Sequence, residues 1–301
     1  MERYHRGSLD VQERVGVREA AEHVGRAIGA DIKDVAARFL TEQPHLVVGA
    51  GDGEGRLWAS LIAGAPGFVR ATARDRIAVL GGPPVGDPLA EALALAGAPV
   101  GTIALDPRTR RRMRLNGALD VAPGGFAVRA RRVFANCPKY LQRRQPVERV
   151  LDGPGVLRRG PALVPDQERA VRAADTFFVA TTDGADGVDA SHRGGMPGFV
   201  EVLSPTELAW PDYPGNAMFL TLGNLAADER AGLLFPDWEG GGVLQLSGRA
   251  RTEFGADGER LVRFTVDAVV EALHPGRLRW SGPEYSPANP PPPAHRGSTT
   301  R

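Results

Sequence analysis

Apolar and polar residues alternate along most of this chain, and glycine or proline breaks the alternation at short intervals. The exception is the N-terminus. Val11, Val15, Val17, Ala20, Val24 and Ile28 recur at helical spacing over residues 11–29, and Gly29 stops the run. Asp31 is placed to cap a second short helix that carries Ile32, Val35, Ala36, Phe39 and Leu40, and Pro44 ends it. Strands are predicted from there on: His45–Ala50, an Asp52-Gly53 hairpin turn, Arg56–Ala63, Phe68–Ala73 and Ile77–Leu80. A Gly-Pro loop leads to a helix over Pro88–Ala96, then to strands Gly101–Leu105, Arg110–Leu115 and Gly125–Phe134. Arg143–Gly160 reads as a connector, and Pro165–Ala174 as a helix. Strands follow at Phe177–Thr182, Val188–His192, Gly198–Leu203, Glu207–Trp210, Gly232–Phe235, Gly242–Leu246 and Leu261–Glu271. Short strands of this kind argue for an antiparallel barrel, a mainly β protein with some α.

The β pattern occurs twice. Ala59-Ser-Leu-Ile-Ala-Gly-Ala-Pro-Gly-Phe-Val69 returns 131 residues later as Ala190-Ser-His-Arg-Gly-Gly-Met-Pro-Gly-Phe-Val200. The same offset carries Asp52-Gly53 onto Asp183-Gly184, Gly101 onto Gly232, and Leu115 and Gly117 onto Leu246 and Gly248. Two tandem halves of one fold, forming a pseudo-dimer, follow. The boundaries are an N-terminal helical segment 1–44, a first half 45–145, a connector with its helix 146–175, a second half 176–282, and a Pro-rich tail 283–301 read as disordered. The copies differ in chemistry: Ser191-His192-Arg193 stands where the first copy has Ser60-Leu61-Ile62.

Length supports the division, since 301 residues exceed the size at which one core stops growing. The 37 basic and 36 acidic residues nearly cancel, so nothing in the net charge draws the chain to nucleic acid or to a membrane surface. One cysteine, Cys137, excludes an internal disulfide and fits a reducing compartment. The polar N-terminus and the absence of a long apolar run lead to the expectation of a cytoplasmic protein that does not span a membrane. The six histidines and one cysteine show no ligand spacing, so no metal site is expected.

Two clusters in the second half carry polar chemistry. Ser191-His192-Arg193-Gly194-Gly195 ends a strand; it offers a hydroxyl, a guanidinium fork suited to phosphate or carboxylate, and backbone open to close approach. A solvated strand end is the plainer reading of the same residues. The second cluster, Trp210-Pro-Asp-Tyr-Pro-Gly-Asn216, is stiffened by Pro211 and Pro214 and is followed by Thr221-Leu-Gly-Asn224. Asn216 can serve there as a helix N-cap, or it can meet a polar ligand together with Thr221 and Asn224. The first half has Gly81-Gly82-Pro83-Pro84-Val85 at the matching places.

These clusters, with Leu222-Gly-Asn-Leu225 and Gly232-Leu-Leu-Phe235, resemble the pyridoxamine 5′-phosphate oxidase-like family of FMN-binding split barrels. The motifs run in order over residues 188–250, and residues 45–145 resemble the same family more weakly. No counterpart of the true oxidase's C-terminal substrate segment is present. The resemblance implies two tandem split-barrel halves with FMN between them, and F420 as the alternative cofactor. It implies cofactor contacts from Ser191, His192, Arg193 and Gly194, from Asp212, Tyr213, Gly215 and Asn216, and from Thr221 and Asn224. Cys137 and Lys139, in Asn136-Cys-Pro-Lys-Tyr140, match a segment found near the barrel–barrel interface of flavin-binding members. Where the family often has a further basic residue after the Gly-Asn pair, this chain has Ala217 and Met218. An FMN-dependent oxidoreductase is implied, acting on a small molecule with NAD(P)H or another electron donor. A non-catalytic flavin, F420 or haem carrier, or a scaffold without cofactor, are the alternatives. Fusion permits either a monomer or a homodimer.

Arg108, Arg110, Arg111, Arg112 and Arg114 crowd one strand. Alternation sends Arg110, Arg112 and Arg114 to one face and Arg111, Met113 and Leu115 to the other. Either that charge is a solvated face or it forms a phosphate-binding wall across the pseudo-dimer. A nucleic-acid patch would need interleaved aromatic residues, which the stretch lacks.

Overall fold

The computed structural model describes residues 3–149, 156–185, 187–273 and 278–291. Helices α1 (Arg6–Val15), α2 (Arg18–Gly25) and α3 (Asp34–Thr41) come first. The first sheet holds β1 (His45–Gly51), β2 (Leu57–Ala63), β3 (Val69–Ala73), β4 (Arg76–Leu80), β5 (Pro99–Asp106), β6 (Arg111–Ala122) and β7 (Gly125–Ala135). Then come β8 (Pro146–Arg149), β9 (Val156–Gly160) and α4 (Pro165–Ala173). The second sheet follows with β10 (Thr176–Thr182), β11 (Val188–Gly194), β12 (Glu201–Ser204), β13 (Glu207–Pro211), helix α5 (Leu220–Ala227), β14 (Arg230–Pro236), β15 (Val243–Phe254) and β16 (Arg260–Leu273). Strand β17 (Leu278–Trp280) closes the described chain.

The two sheets have one topology. The first runs β2-β1-β5-β6-β7-β4-β3, and the second runs β11-β10-β14-β15-β16-β13-β12. Each strand of one order is the repeat of the strand at the same place in the other. Even the register shift repeats, at Asn116/Gly117 and at Ser247/Gly248. Both bulges need glycine, because a Cβ on Gly117 or Gly248 would overlap the carbonyl oxygen of Arg129 or Thr265. This is a mainly β protein built of two split-barrel halves.

Alternate residues of the inner strands serve two cores. Leu46, Val48 and Ala50 of β1 fill the first barrel, while Val47 faces the second half. Phe177 and Val179 of β10 fill the second barrel, while Phe178 and Ala180 face the first. The shared core between the halves pairs repeat-equivalent residues: Val47 with Phe178, Ala59 with Ala190, Ile103 with Leu234. Strands buried on both faces read as nearly continuous apolar runs, as β1 and β10 do.

Glycine sets how closely the halves approach. A Cβ on Gly101 would lie 2.6 Å from the Ala190 backbone nitrogen, and one on its repeat mate Gly232 would lie 2.6 Å from the Leu57 carbonyl oxygen. Gly101→Ala and Gly232→Ala are each expected to destabilise the chain by roughly 1–3 kcal/mol through overpacking. Gly53→Ala, with open space around it, is the control. Denaturant midpoints measure this, and equal midpoints for all three variants would show that the halves do not meet through these glycines.

Several local expectations are corrected. The helical run over 11–29 is two helices, because Gly16 adopts φ 71° and ends α1. Asp31 does not cap α3, whose N-cap is Lys33. Pro88–Ala96 forms only a single 3-10 turn at Ala92–Ala94. The turn after β1 is wider than a two-residue hairpin: Gly55, not Gly53, takes positive φ, and the Asp52 carboxylate accepts bonds from the Glu54 and Arg56 amides. The connector contains β8 and β9, which pair with β17 and β16, although its apolar alternation is too short to read. Residues 283–291 of the tail are held to the body: Glu284 bridges Arg143, and Gln142 Oε1 accepts from Ser286 N. Polar bonds do this where apolar burial could not. The rest of the tail lies outside the described residues.

Candidate functional site

The second half supplies one wall of a cleft and the first half the other. Strand β11 pairs with β10 so that Ser191, His192 and Arg193 reach the surface between the halves. The loop from Asp212 to Phe219 closes one side. It is set by Ala217 and Phe219, both in left-handed backbone at φ 60° and 51°, a conformation costly for residues with side chains. The surroundings hold it there: Asn216 Oδ1 accepts from Met218 N at 3.2 Å, and Gln12 of α1 donates to Met218 O at 3.0 Å. Asn216 thus makes a turn before the helix rather than capping α5, whose N-cap is Phe219.

From the first half come β6 and the segment after β7. Arg112 Nη1 donates to His192 Nδ1 at 2.9 Å, and Arg112 Nη2 to the Cys137 carbonyl at 2.6 Å. Tyr140 packs on Tyr213, with ring centroids 5.2 Å apart and planes tilted by 42°, and donates its hydroxyl to Pro214 O at 2.8 Å, so the walls are joined across the mouth. Gln142 Nε2 bonds the carbonyls of Tyr140, Asp175 and Gly195 and fixes the segment to the second half. Arg114 lies deeper, buried against Asp189, which also accepts from Asn116 Nδ2 at 2.9 Å. Alternation along β6 is as expected, with Met113 and Leu115 in the barrel core. The solvated-face reading of this run does not hold for Arg112 and Arg114, because the second half covers that face.

The cleft is cationic. Arg193 donates to Ser191 Oγ at 2.9 Å and lies 3.6 Å from Asp212, which Arg260 also holds at 2.9 Å. Burial pulls the Arg193 guanidinium below its usual range; Asp212 opposes this and Arg114 adds to it. Arg112 is pushed down to about 9, chiefly by burial and then by the neighbouring Arg114 and Arg193. His192 falls well below the ordinary histidine value by burial and by the charges of Arg112 and Arg193, and so stays neutral. Four cations line the cleft, Arg112, Arg114, Lys139 and Arg193, against the carboxylates Asp189 and Asp212. Arg112 has no carboxylate partner among the described residues.

Of the residues singled out from the sequence, all but Asn224 line this cleft. Asn224 sits one turn further along α5, donates to Thr181 Oγ1 at 2.9 Å, and faces a separate cavity of about 400 Å³ beyond Arg114 and Asp189. Arg112 and Arg114 are two of the three arginines expected on one face of their strand; the third, Arg110, bonds Leu141 O and Glu284 instead, and Tyr140, Gln142 and Arg260 were not foreseen. For the two arginines a signal existed: the offset of 131 places Val243 and Gln245 opposite them in the other copy.

The mirror site, related by the same offset, carries different side chains. Leu61 and Ile62 replace His192 and Arg193, and Gln245 spends its amide on Ala59 O, Ser60 Oγ and Asp87 Oδ2 at 3.0–3.1 Å. Trp238 and Trp280 pack with His45 beside Leu61, while the mirror of the loop wall opens on a cavity of about 790 Å³ lined by Gly86, Asp87, Pro88, Asp267 and Ala268.

Fold and cleft together define a fused pair of split barrels with a cationic cleft between them. Residues 163–290 match the family model described as Pyridoxamine 5'-phosphate oxidase, so the chain is similar to that family through its second half. No curated protein sequence matches. Among solved structures, HupZ of Group A Streptococcus is 13% identical, with 40% of this chain and 100% of that chain covered and a TM-score of 0.30. A putative pyridoxamine 5'-phosphate oxidase of Lactobacillus delbrueckii is 15% identical, covers 36% and 94%, and has a TM-score of 0.30. A FAD-binding protein of Mesorhizobium loti is 12% identical, covers 39% and 98%, and has a TM-score of 0.27. Among the described residues no helix is long and apolar enough to cross a membrane, and no group of side chains is placed to hold a metal ion.

Proposed function

We propose that this chain is a flavoprotein that holds one FMN in the cleft between its halves and acts as an oxidoreductase on a small molecule. The observation that carries the reading is the unbalanced positive charge of this cleft, converging from both halves on the residues of the family motifs. A bound flavin would supply hydride or electron transfer through its N5, and the protein's part is to bind and orient it. Arg193, fixed by Ser191 and Asp212, presents its fork to the phosphate, replacing the basic residue absent at Ala217 and Met218. The rigid loop 212–219 and the aromatic rings of Tyr140 and Tyr213 supply apolar area for the ring system. The enclosed volume of about 110 Å³ is below the roughly 300–1,000 Å³ of whole ligand pockets, so a flavin lies partly in the open cleft. The mirror site lacks the cationic residues, with Ile62, Val243 and Gln245 in place of Arg193, Arg112 and Arg114, which sets the stoichiometry at one per chain. The site is complete within one chain, so no second copy is required.

The test is the visible absorption spectrum of purified protein, followed by FMN and F420 titrations. Flavin binding is expected, with Arg193→Ala weakening it by about ten- to hundred-fold, the loss of one or two charge-assisted bonds. Absence of binding of either cofactor at about tens of micromolar, an affinity of some 6 kcal/mol, would overturn the reading. Bleaching of bound flavin by NAD(P)H distinguishes an enzyme from a carrier.

A further inference from the structure

Arg112 reaches the cleft from the first half, and its bond to His192 decides what the histidine can do. A guanidinium only donates, so His192 Nδ1 must be the acceptor and the ring proton must sit on Nε2. That Nε2 is buried, His192 is only 5% exposed, and Nε2 has no partner. Arg112 Nε is likewise buried without a partner. Two orphaned N–H donors therefore belong to one bonded pair, and the orphaned acceptor in the same lining, Asn136 Oδ1, bonds neither of them. A buried donor left unmade costs about 1–3 kcal/mol, and two of them on one pair point to a missing oxygen ligand. The charge balance agrees. Asp189 answers Arg114, and Asp212 answers Arg193 while shared with Arg260; Arg112 is left over.

We propose that Arg112 and His192 form an oxyanion subsite for the substrate, which is a small molecule bearing a carboxylate or phosphate. This deepens the flavin reading and rests on it for the word substrate; the subsite itself rests only on the two donors. Arg193 and the Asp212–Phe219 loop belong to the second half and serve the cofactor. Arg112 belongs to the first half and is held by the Cys137 carbonyl, away from that loop's carboxylate. The mirror positions are Val243 and Leu61, which cannot donate, so the subsite exists once per chain.

The experiment titrates acetate and, separately, inorganic phosphate into the chain with and without saturating FMN, following the His192 Nε2–H and Arg112 Nε–H signals by ¹H–¹⁵N NMR. Saturable shifts of both signals are expected in both states, and Arg112→Gln should weaken anion binding by about ten-fold or more, as loss of a charged donor does. Preference for acetate or for phosphate names the anion. Shifts without any FMN binding would leave the subsite standing while removing the flavin reading. Abolition of anion binding by FMN would overturn the proposal by giving these donors to the cofactor, and so would the absence of shifts in the wild-type chain.

Discussion

Asp189→Ala is expected to destabilise the chain by about 3–5 kcal/mol, the cost of leaving one member of a buried ion pair alone. Asp189 and Arg114 are 5% and 6% exposed, and they come from different halves. Without the carboxylate, Arg114 keeps only the Phe134 ring beneath it, and Asn116 loses its acceptor. The pair also sits between the ligand cleft and the cavity near Asn224, so its loss is felt at the site. Urea unfolding measures the effect. Asp228→Ala, which breaks a half-exposed pair with Arg230 on the surface, should cost under about 1 kcal/mol. Equal losses for the two variants would sink the claim that the halves are locked through Asp189.

Acidification is expected to destabilise the chain through His45 by about 3 kcal/mol between neutral pH and pH 4. The ring is enclosed by Trp238 and Trp280, and burial drives its pKa from 6.5 to about 4, with Asp106 opposing and Arg108 assisting. The unfolded chain takes up this proton near 6.5 and the folded chain only near 4. Within that window the unfolded state binds more protons, so stability is full above 6.5 and is lost as pH falls. About 2.5 pH units at 1.36 kcal/mol each give the figure. His192 acts in the same direction, and Asp175, whose carboxyl burial raises, acts against it. The contribution of His45 is therefore read as a difference: unfolding free energies of wild type and His45→Gln from pH 7.5 to 4 should converge at low pH. Parallel curves would mean that His45 protonates without opening the tryptophan plug.

Much of the architecture was legible because it is written locally and written twice. Period-two alternation located the main strands, and glycines at a constant offset exposed the duplication. Their cause is visible in the structure: Gly101 and Gly232 sit where the halves touch, and Gly117 and Gly248 sit in matching bulges. The second-half site residues were legible through ordered motifs on one strand and one loop. Less was legible where a short segment takes its conformation from distant partners. Strands β8 and β9 form because β17 and β16 are there to pair with them. Pro88–Ala96 does not extend into a helix as its repeat mate α5 does, and nothing in its own spacing says so.

The sequence by itself determined the β class and the two halves, and it showed which copy carries the polar Ser191-His192-Arg193 cluster, since each follows from periodicity or from residues close together in the chain. Tertiary structure alone decided what stands across the cleft. It brought Arg112 to His192, 80 positions away, and turned a run of arginines from a surface into a wall. It sent Trp280 to pack with Trp238 and His45 between the halves, and it directed Asn224 to a different cavity from Thr221. Those outcomes depend on which faces the two barrels bury against each other, and burial between halves is a property of their docking that no local pattern encodes.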